Sequence, residues 1–126
     1  MVWHMAESLF KRYGGFAIVS RIVSDFYSRV LADDNLRPYF AGVDMQRQID
    51  HQTKFVAYLM GGPASFTDEH LERVHSHLNI DDRSFEELVV VFRETLEDHD
   101  LDETDIGTVV AELTSRRRLV VTKADS

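Results

Sequence analysis

The chain has 126 residues, 44% hydrophobic and 29% charged, with a formal net charge of −8 and no cysteine. That length supports one domain with a modest core, and the missing thiols exclude disulfides, thiolate metal sites and cysteine nucleophiles. The acidic balance disfavours nucleic acid or anionic lipid as a main partner, and the longest apolar run, residues 88–92, is far too short to cross a bilayer.

In chain order, "MVWHM" lacks the charged-then-apolar pattern of a signal peptide. With a second methionine at Met5, residues 1–4 read as a remnant and are given no function. After the Gly14-Gly15 pair, Val19, Ile22, Val23, Phe26, Tyr27, Val30 and Leu31 recur at helical spacing. This predicts a helix ending near "ADDN", followed by an irregular "LRPYFAG". A second helix is predicted from an Asp44 N-cap to about Met60, stopped by Gly61-Gly62-Pro63. Thr67 then caps a short helix over about 68–77, with Phe66 and Leu71 placed as a hydrophobic staple. Two more helices are predicted, over about 82–98 and 102–120, leaving 121–126 as a flexible tail. The "SRRR" at 115–118 reads as basic residues near a helix C-terminus, favoured there by the macrodipole. No segment shows the period-two alternation of a half-buried strand, so the fold class is all-α with short connections, in one domain spanning 1–126.

Two helices break the usual amphipathic rule. On a wheel of about 100° per residue with Gln48 at zero, Phe55, Leu59, Met45, Val56 and Ile49 form the apolar arc. Gln52 falls inside that arc with Gln48, and His51 lies on its shoulder beyond Phe55. A buried amide left unpaired costs about 1–3 kcal/mol. Two on one stripe therefore point either to an interior ligand or to glutamines bonded to backbone and water. On the short helix, His75 shares the stripe of Leu71, Val74 and Leu78, while His70 and His77 are rotated away. One inward imidazole is too few for a zinc site. It suits either an axial ligand to a flat prosthetic group or a hydrogen-bonded core histidine. Tyr27 occupies a core position, and its hydroxyl needs a partner, either a carbonyl or a polar ligand in the cavity.

The chain closely resembles the group I truncated haemoglobins, over nearly its whole length from about Ser8 to the last helix. The motifs that carry the resemblance are "YGG" at 13–15, "DFYSRVLADDNLRPYFAGVDM" at 25–45, "HQTKF" at 51–55, "YLMGGP" at 58–63 and "ERVHSHLNI" at 72–80. Their order and spacing are specific together, though none is decisive alone. The resemblance implies a shortened globin fold, a two-over-two helical sandwich around haem b, with His75 as proximal iron ligand and Phe40 against the haem face. Tyr27, Gln48 and Gln52 would line the distal side and donate hydrogen bonds to bound ligand. Phe26, Phe55, Leu71, Leu78, Leu88 and Phe92 would form apolar walls. Many relatives carry lysine or arginine at the position of His51, near a haem propionate. Some cyanobacterial members carry a histidine that binds iron from the distal side when no external ligand is present, and "HQTKF" looks like that subset. The alternative leaves His51 at the pocket mouth. In that subset a histidine on the last helix can bond covalently to the haem. Arg116 stands at that position here, so no crosslink is expected.

Haem iron with one neutral imidazole binds O2, CO or NO. Tyr27 and the two glutamines would stabilise the partial negative charge on bound O2 and slow its release. Slow release argues against bulk transport and favours reaction with NO to give nitrate. A bound His51 would lower observed affinity by the fraction of open state, and low pH would weaken its ligation. Three functions follow: a gas-binding haem protein that detoxifies NO or related species with an unidentified reductase, a haem-based sensor or electron-transfer module, or a haem-free helical interaction domain. The expected setting is a cytoplasmic monomer.

Overall fold

A computed structural model describes residues 8–62, 80–117 and 121–123. Ser8 opens a single turn, α1 (Leu9–Arg12), by accepting a hydrogen bond from the Lys11 amide. This turn was not predicted, because four residues are too few to display a period. Gly14 at φ 110 and Gly15 at φ 72 then reverse the chain into α2 (Gly15–Ala32). Its buried residues Val19, Ile22, Val23, Tyr27 and Val30 keep the predicted helical spacing.

The segment expected to be irregular is ordered by Asp33. Its Oδ1 accepts from the amides of Asn35 at 2.8 Å and Leu36 at 3.1 Å. Pro38 near the start then favours a 3-10 turn over Arg37–Phe40, which delivers Phe40 into the core. α3 (Met45–Leu59) begins at Asp44, whose carboxylate accepts from the Arg47 amide at 3.2 Å. It ends at Met60 and Gly61, and the Met60 carbonyl accepts from the Phe10 amide, which ties α1 to the end of α3. α4 (Asp82–Asp98) is capped by Asp81, and α5 (Glu103–Thr114) carries Glu103 and Asp105 in its first turn.

Two expectations at the C-terminus are corrected. α5 ends at Thr114 with a turn at Ser115–Arg116 interrupting the predicted continuous helix, and Arg117 is helical again. Val121–Lys123 is a strand (β2) within the expected flexible tail. β2 runs parallel to β1 (Ile80–Asp81), so the fold carries a two-stranded ribbon that the sequence reading lacked. Strands of two or three residues are too short to show alternation, and Val121 and Thr122 are β-branched, which favours extended backbone. The predicted short helix over 68–77 lies outside the described residues.

The core forms where α2 packs on α3 and α4, and α4 packs on α5. Val19, Ile22, Val30, Leu36, Leu96 and Val109 are fully enclosed there. The architecture is all-α apart from the ribbon, two helical pairs layered on one another.

Candidate functional site

The inward faces of these pairs line an apolar cavity of about 70 Å³ that opens to solvent. α2 contributes Val23, Phe26 and Tyr27, and α3 contributes Gln48, Gln52, Phe55, Val56 and Leu59. The opposite wall is Ile80, Phe85, Leu88 and Phe92, with Leu113 from α5, and Phe40 closes one end. Aromatic edges fix the walls to one another. Phe92 meets Phe26 with ring centroids 5.6 Å apart, Phe26 meets Tyr27 at 5.0 Å, and Tyr27 meets Phe40 at 5.5 Å, all T-shaped.

Tyr27, Gln48 and Gln52 are the polar members of this apolar lining, and they converge from adjacent turns of α2 and α3. The Gln48 amide donates to the Tyr27 hydroxyl at 3.2 Å. The phenol oxygen is thus an acceptor within the protein, and its own O–H is left to donate into the cavity. Burial pushes the Tyr27 phenol far above its ordinary range, and the hydrogen bond from Gln48 offsets only part of that. Burial thus favours the neutral, proton-donating form of the group. Gln52 is 7% exposed, on the same face one turn beyond Gln48.

The structure therefore brings together eight of the residues singled out from sequence: Phe26, Tyr27, Phe40, Gln48, Gln52, Phe55, Leu88 and Phe92. His51 is half-buried on the flank of α3, outside the cavity lining, with its Nε2 shielded from solvent. That is the shoulder position its wheel angle gives. His75, Leu71 and Leu78 lie outside the described residues.

Six lining residues were missed: Val23, Val56, Leu59, Ile80, Phe85 and Leu113. Val23, Val56 and Leu59 share helical stripes with Tyr27, Gln52 and Phe55, so periodicity already marked them as inward-facing. Phe85 shares the stripe of Leu88 and Phe92, and Leu113 that of Ile106, Val109 and Val110, but Ile80, on a two-residue strand, carries no such signal.

Arg116 lies near this wall, three residues beyond Leu113. Its guanidinium sits 5.1 Å from the Tyr58 ring centroid and donates to the Tyr58 hydroxyl at 3.3 Å and to the Glu112 carbonyl at 2.7 Å. Arg117 bonds Asp82 and Glu86 and covers the Phe85 ring, pinning the start of α4 to the end of α5. Altogether the lining suits a flat, largely apolar prosthetic group, with one polar patch facing a small ligand held on it.

Comparison with known proteins agrees. A sequence profile of bacterial-like globins matches residues 8–121. A group 1 truncated haemoglobin of Chlamydomonas moewusii is 30% identical over 116 residues, covering 90% of this chain and 68% of that protein. One from Tetrahymena thermophila is 29% identical over 100 residues, covering 79% of this chain and 83% of the relative. Among solved structures, a 2/2 haemoglobin of Synechococcus, described in the cyanomet state with covalently attached haem, superposes with a TM-score of 0.84 at 28% identity. That match covers 93% of this chain and 100% of the other.

Proposed function

The chain belongs to the bacterial-like globin family and is a group I truncated haemoglobin that binds haem b; on that premise we propose that it holds diatomic gases and converts NO with O2 to nitrate. Membership removes the haem-free interaction domain as a reading. The observation that carries the proposal is the Gln48–Tyr27 hydrogen bond inside an otherwise apolar cavity, with Gln52 beside it.

The proposed roles of the cavity residues follow from their placement, and those of His75, Leu71 and Leu78 from the family resemblance. His75 would hold the iron. Phe40 and Phe92 hold the macrocycle by apolar contact, and Phe26, Phe55 and Leu88 keep water from the ligand side, with Leu71 and Leu78 completing the walls. Haem iron, when bound, would supply a one-electron centre able to take a small ligand. Tyr27 donates its O–H to a ligand that gathers negative charge. Gln48 fixes the direction of that O–H by donating to the phenol oxygen, and the Gln52 amide adds a second donor. Hydrogen bonds to charged groups contribute about 1.5–3 kcal/mol each, so the trio slows release of O2 relative to CO. Held O2 then meets NO. The balanced conversion joins one NO, one O2 and one electron into one nitrate, so a separate reductase must supply the electron. The reading takes the protein as a cytoplasmic monomer, and no described helix is long and apolar enough to cross a membrane.

A second reading, a sensor or electron-transfer module switched by His51, draws on the shielding of its Nε2 at the cavity shoulder. In both readings His51 is the distal ligand when no gas is bound. The test is the absorption spectrum of the haem-loaded protein. A Soret band lost in His75→Ala supports proximal ligation. A ferrous, gas-free spectrum of six-coordinate type that turns five-coordinate in His51→Ala supports distal ligation, and an unchanged spectrum overturns it. NO consumption sustained by added reductant separates the enzyme from the sensor.

A further inference from the structure

The charges of this molecule are divided by layer. Residues 8–62, which build α1 to α3, carry seven Lys and Arg against five Asp and Glu; residues 80–117, which build α4 and α5, carry four against twelve. The Arg12–Asp105 and Arg29–Asp98 ion pairs and the His99–Asp25 contact cross between the layers, and the other pairs among the described residues stay within one. On the acidic side Arg93 pairs with Glu103, Arg116 with Glu112, and Arg117 with Asp82 and Glu86. On the other side Lys11, Arg21, Arg47 and Lys54 are exposed, and none ion-pairs with a described acid. A protein of net charge −8 therefore keeps, among its described residues, exposed cations without an ion-pair partner on the α1–α3 layer.

That face has relief. A groove runs between α2 and α3, floored by Ile49 and Thr53 and walled by Phe16. Phe16 is a large apolar side chain left 44% exposed, its ring braced edge-on by Phe10 at 4.8 Å. Arg47 and Lys54 line this groove. They lie at about −100° and −120° on the α3 wheel, the flank that also carries His51. Two acids line it too. The Asp44 carboxylate is engaged as the N-cap of α3, and Asp50 stands exposed.

We infer that this α2–α3 face is a docking surface for an acidic electron-transfer protein, steered by Arg47 and Lys54 and seated on Phe16. The inference rests on the nitrate-forming reading, in which one electron per turnover comes from outside the chain. Exposed Phe16 with Arg47 and Lys54 beside it, on a layer of seven cations against five acids, is the complement of an acidic rim around an apolar centre. The twelve carboxylates of the opposite layer repel such a partner from the wrong face, so the division of charge selects orientation as well as affinity. The face is the outer side of α3, the helix whose inner side lines the cavity, so a protein docked there is separated from the haem site by one helix.

The test uses the haem-loaded full chain and an oxidised, strongly acidic flavodoxin as probe, with binding mapped by amide NMR shifts at low and high salt. The expected result is a weak complex at low salt that disappears as ionic strength rises, with shifts confined to α2 and α3. Arg47→Glu with Lys54→Glu should weaken it about tenfold, and Asp50→Lys should tighten it. Arg83→Glu, the same sign of change on the other layer, should have little effect. No binding at low salt, binding indifferent to salt, shifts on α4 and α5, or equal losses from both reversals would overturn the proposal. So would binding to vesicles of anionic lipid with none to flavodoxin. A Soret band and NO consumption with a small-molecule reductant, read on the same samples, separate failure of the docking surface from failure of the haem reading.

Discussion

Tyr27 is a donor that does not titrate away, and this has a measurable cost at high pH. The native state holds its phenolic proton, whereas the unfolded chain releases it above about pH 10. The stability this provides is complete below that pH and is lost as pH rises beyond it, by up to about 1.4 kcal/mol per pH unit. Tyr27→Phe should therefore flatten the alkaline limb of a stability–pH profile measured by urea unfolding, with little change between pH 6 and 8. An alkaline limb identical in both proteins would show that the phenol is not held as described. The three polar cavity residues were legible in the sequence because each interrupts an apolar helical stripe. Of the residues facing them across the cavity, Leu88 and Phe92 were singled out from sequence, whereas Ile80, Phe85 and Leu113 were not assigned to the site, since tertiary packing brings them into the same lining. The flank position of His51 was legible as an angle, but the sequence gives no distance from it to the iron.

Helix α2 carries Tyr27 into the cavity and is held from outside by an ionic clasp. Asp25 accepts two hydrogen bonds from Arg29, which also reaches Asp98, and His99 lies 3.1 Å from the same carboxylate. The bonds from Arg29, and then the His99 contact, hold the Asp25 carboxyl below its usual value. Its contribution is present above the ordinary carboxylate range and is lost as pH falls through the lowered value. Asp25→Asn should lower the thermal midpoint at pH 7, and its gap to the parent protein should close in strong acid. A gap independent of pH would assign the loss to packing instead. At the end of α3, a Cβ on Gly62 would stand 2.8 Å from the Ala57 carbonyl and 2.8 Å from the Phe10 ring. Gly62→Ala should therefore destabilise by about 1–3 kcal/mol in denaturant unfolding, and wild-type stability would rule out that close approach. The starts of α3 and α4 were readable because Asp44 and an apolar period announce them. The ribbon was not, because its pairing joins residues far apart in sequence through two or three positions each.

At the scale of the whole molecule, two helical layers of opposite charge balance close on a cavity that is apolar except for one polar patch. A ligand that prefers the folded state stabilises it, so loading should raise the thermal midpoint with the logarithm of free haem. A midpoint independent of haem would count against the cavity as its site. The all-α architecture and family were legible because the order and spacing of several short motifs survive across the chain. The charge division was also present in the sequence but has meaning only once α2–α3 and α4–α5 are known to form separate layers. The central claim is that Tyr27, supported by Gln48 and Gln52, holds a charged diatomic ligand. The most direct test is the O2 dissociation rate of the haem-loaded protein and of Tyr27→Phe, measured by stopped flow with CO dissociation as the control. The account predicts O2 release at least about tenfold faster in the variant, the equivalent of one hydrogen bond to a charged group, with CO release far less affected. Equal O2 release from the two proteins would contradict it.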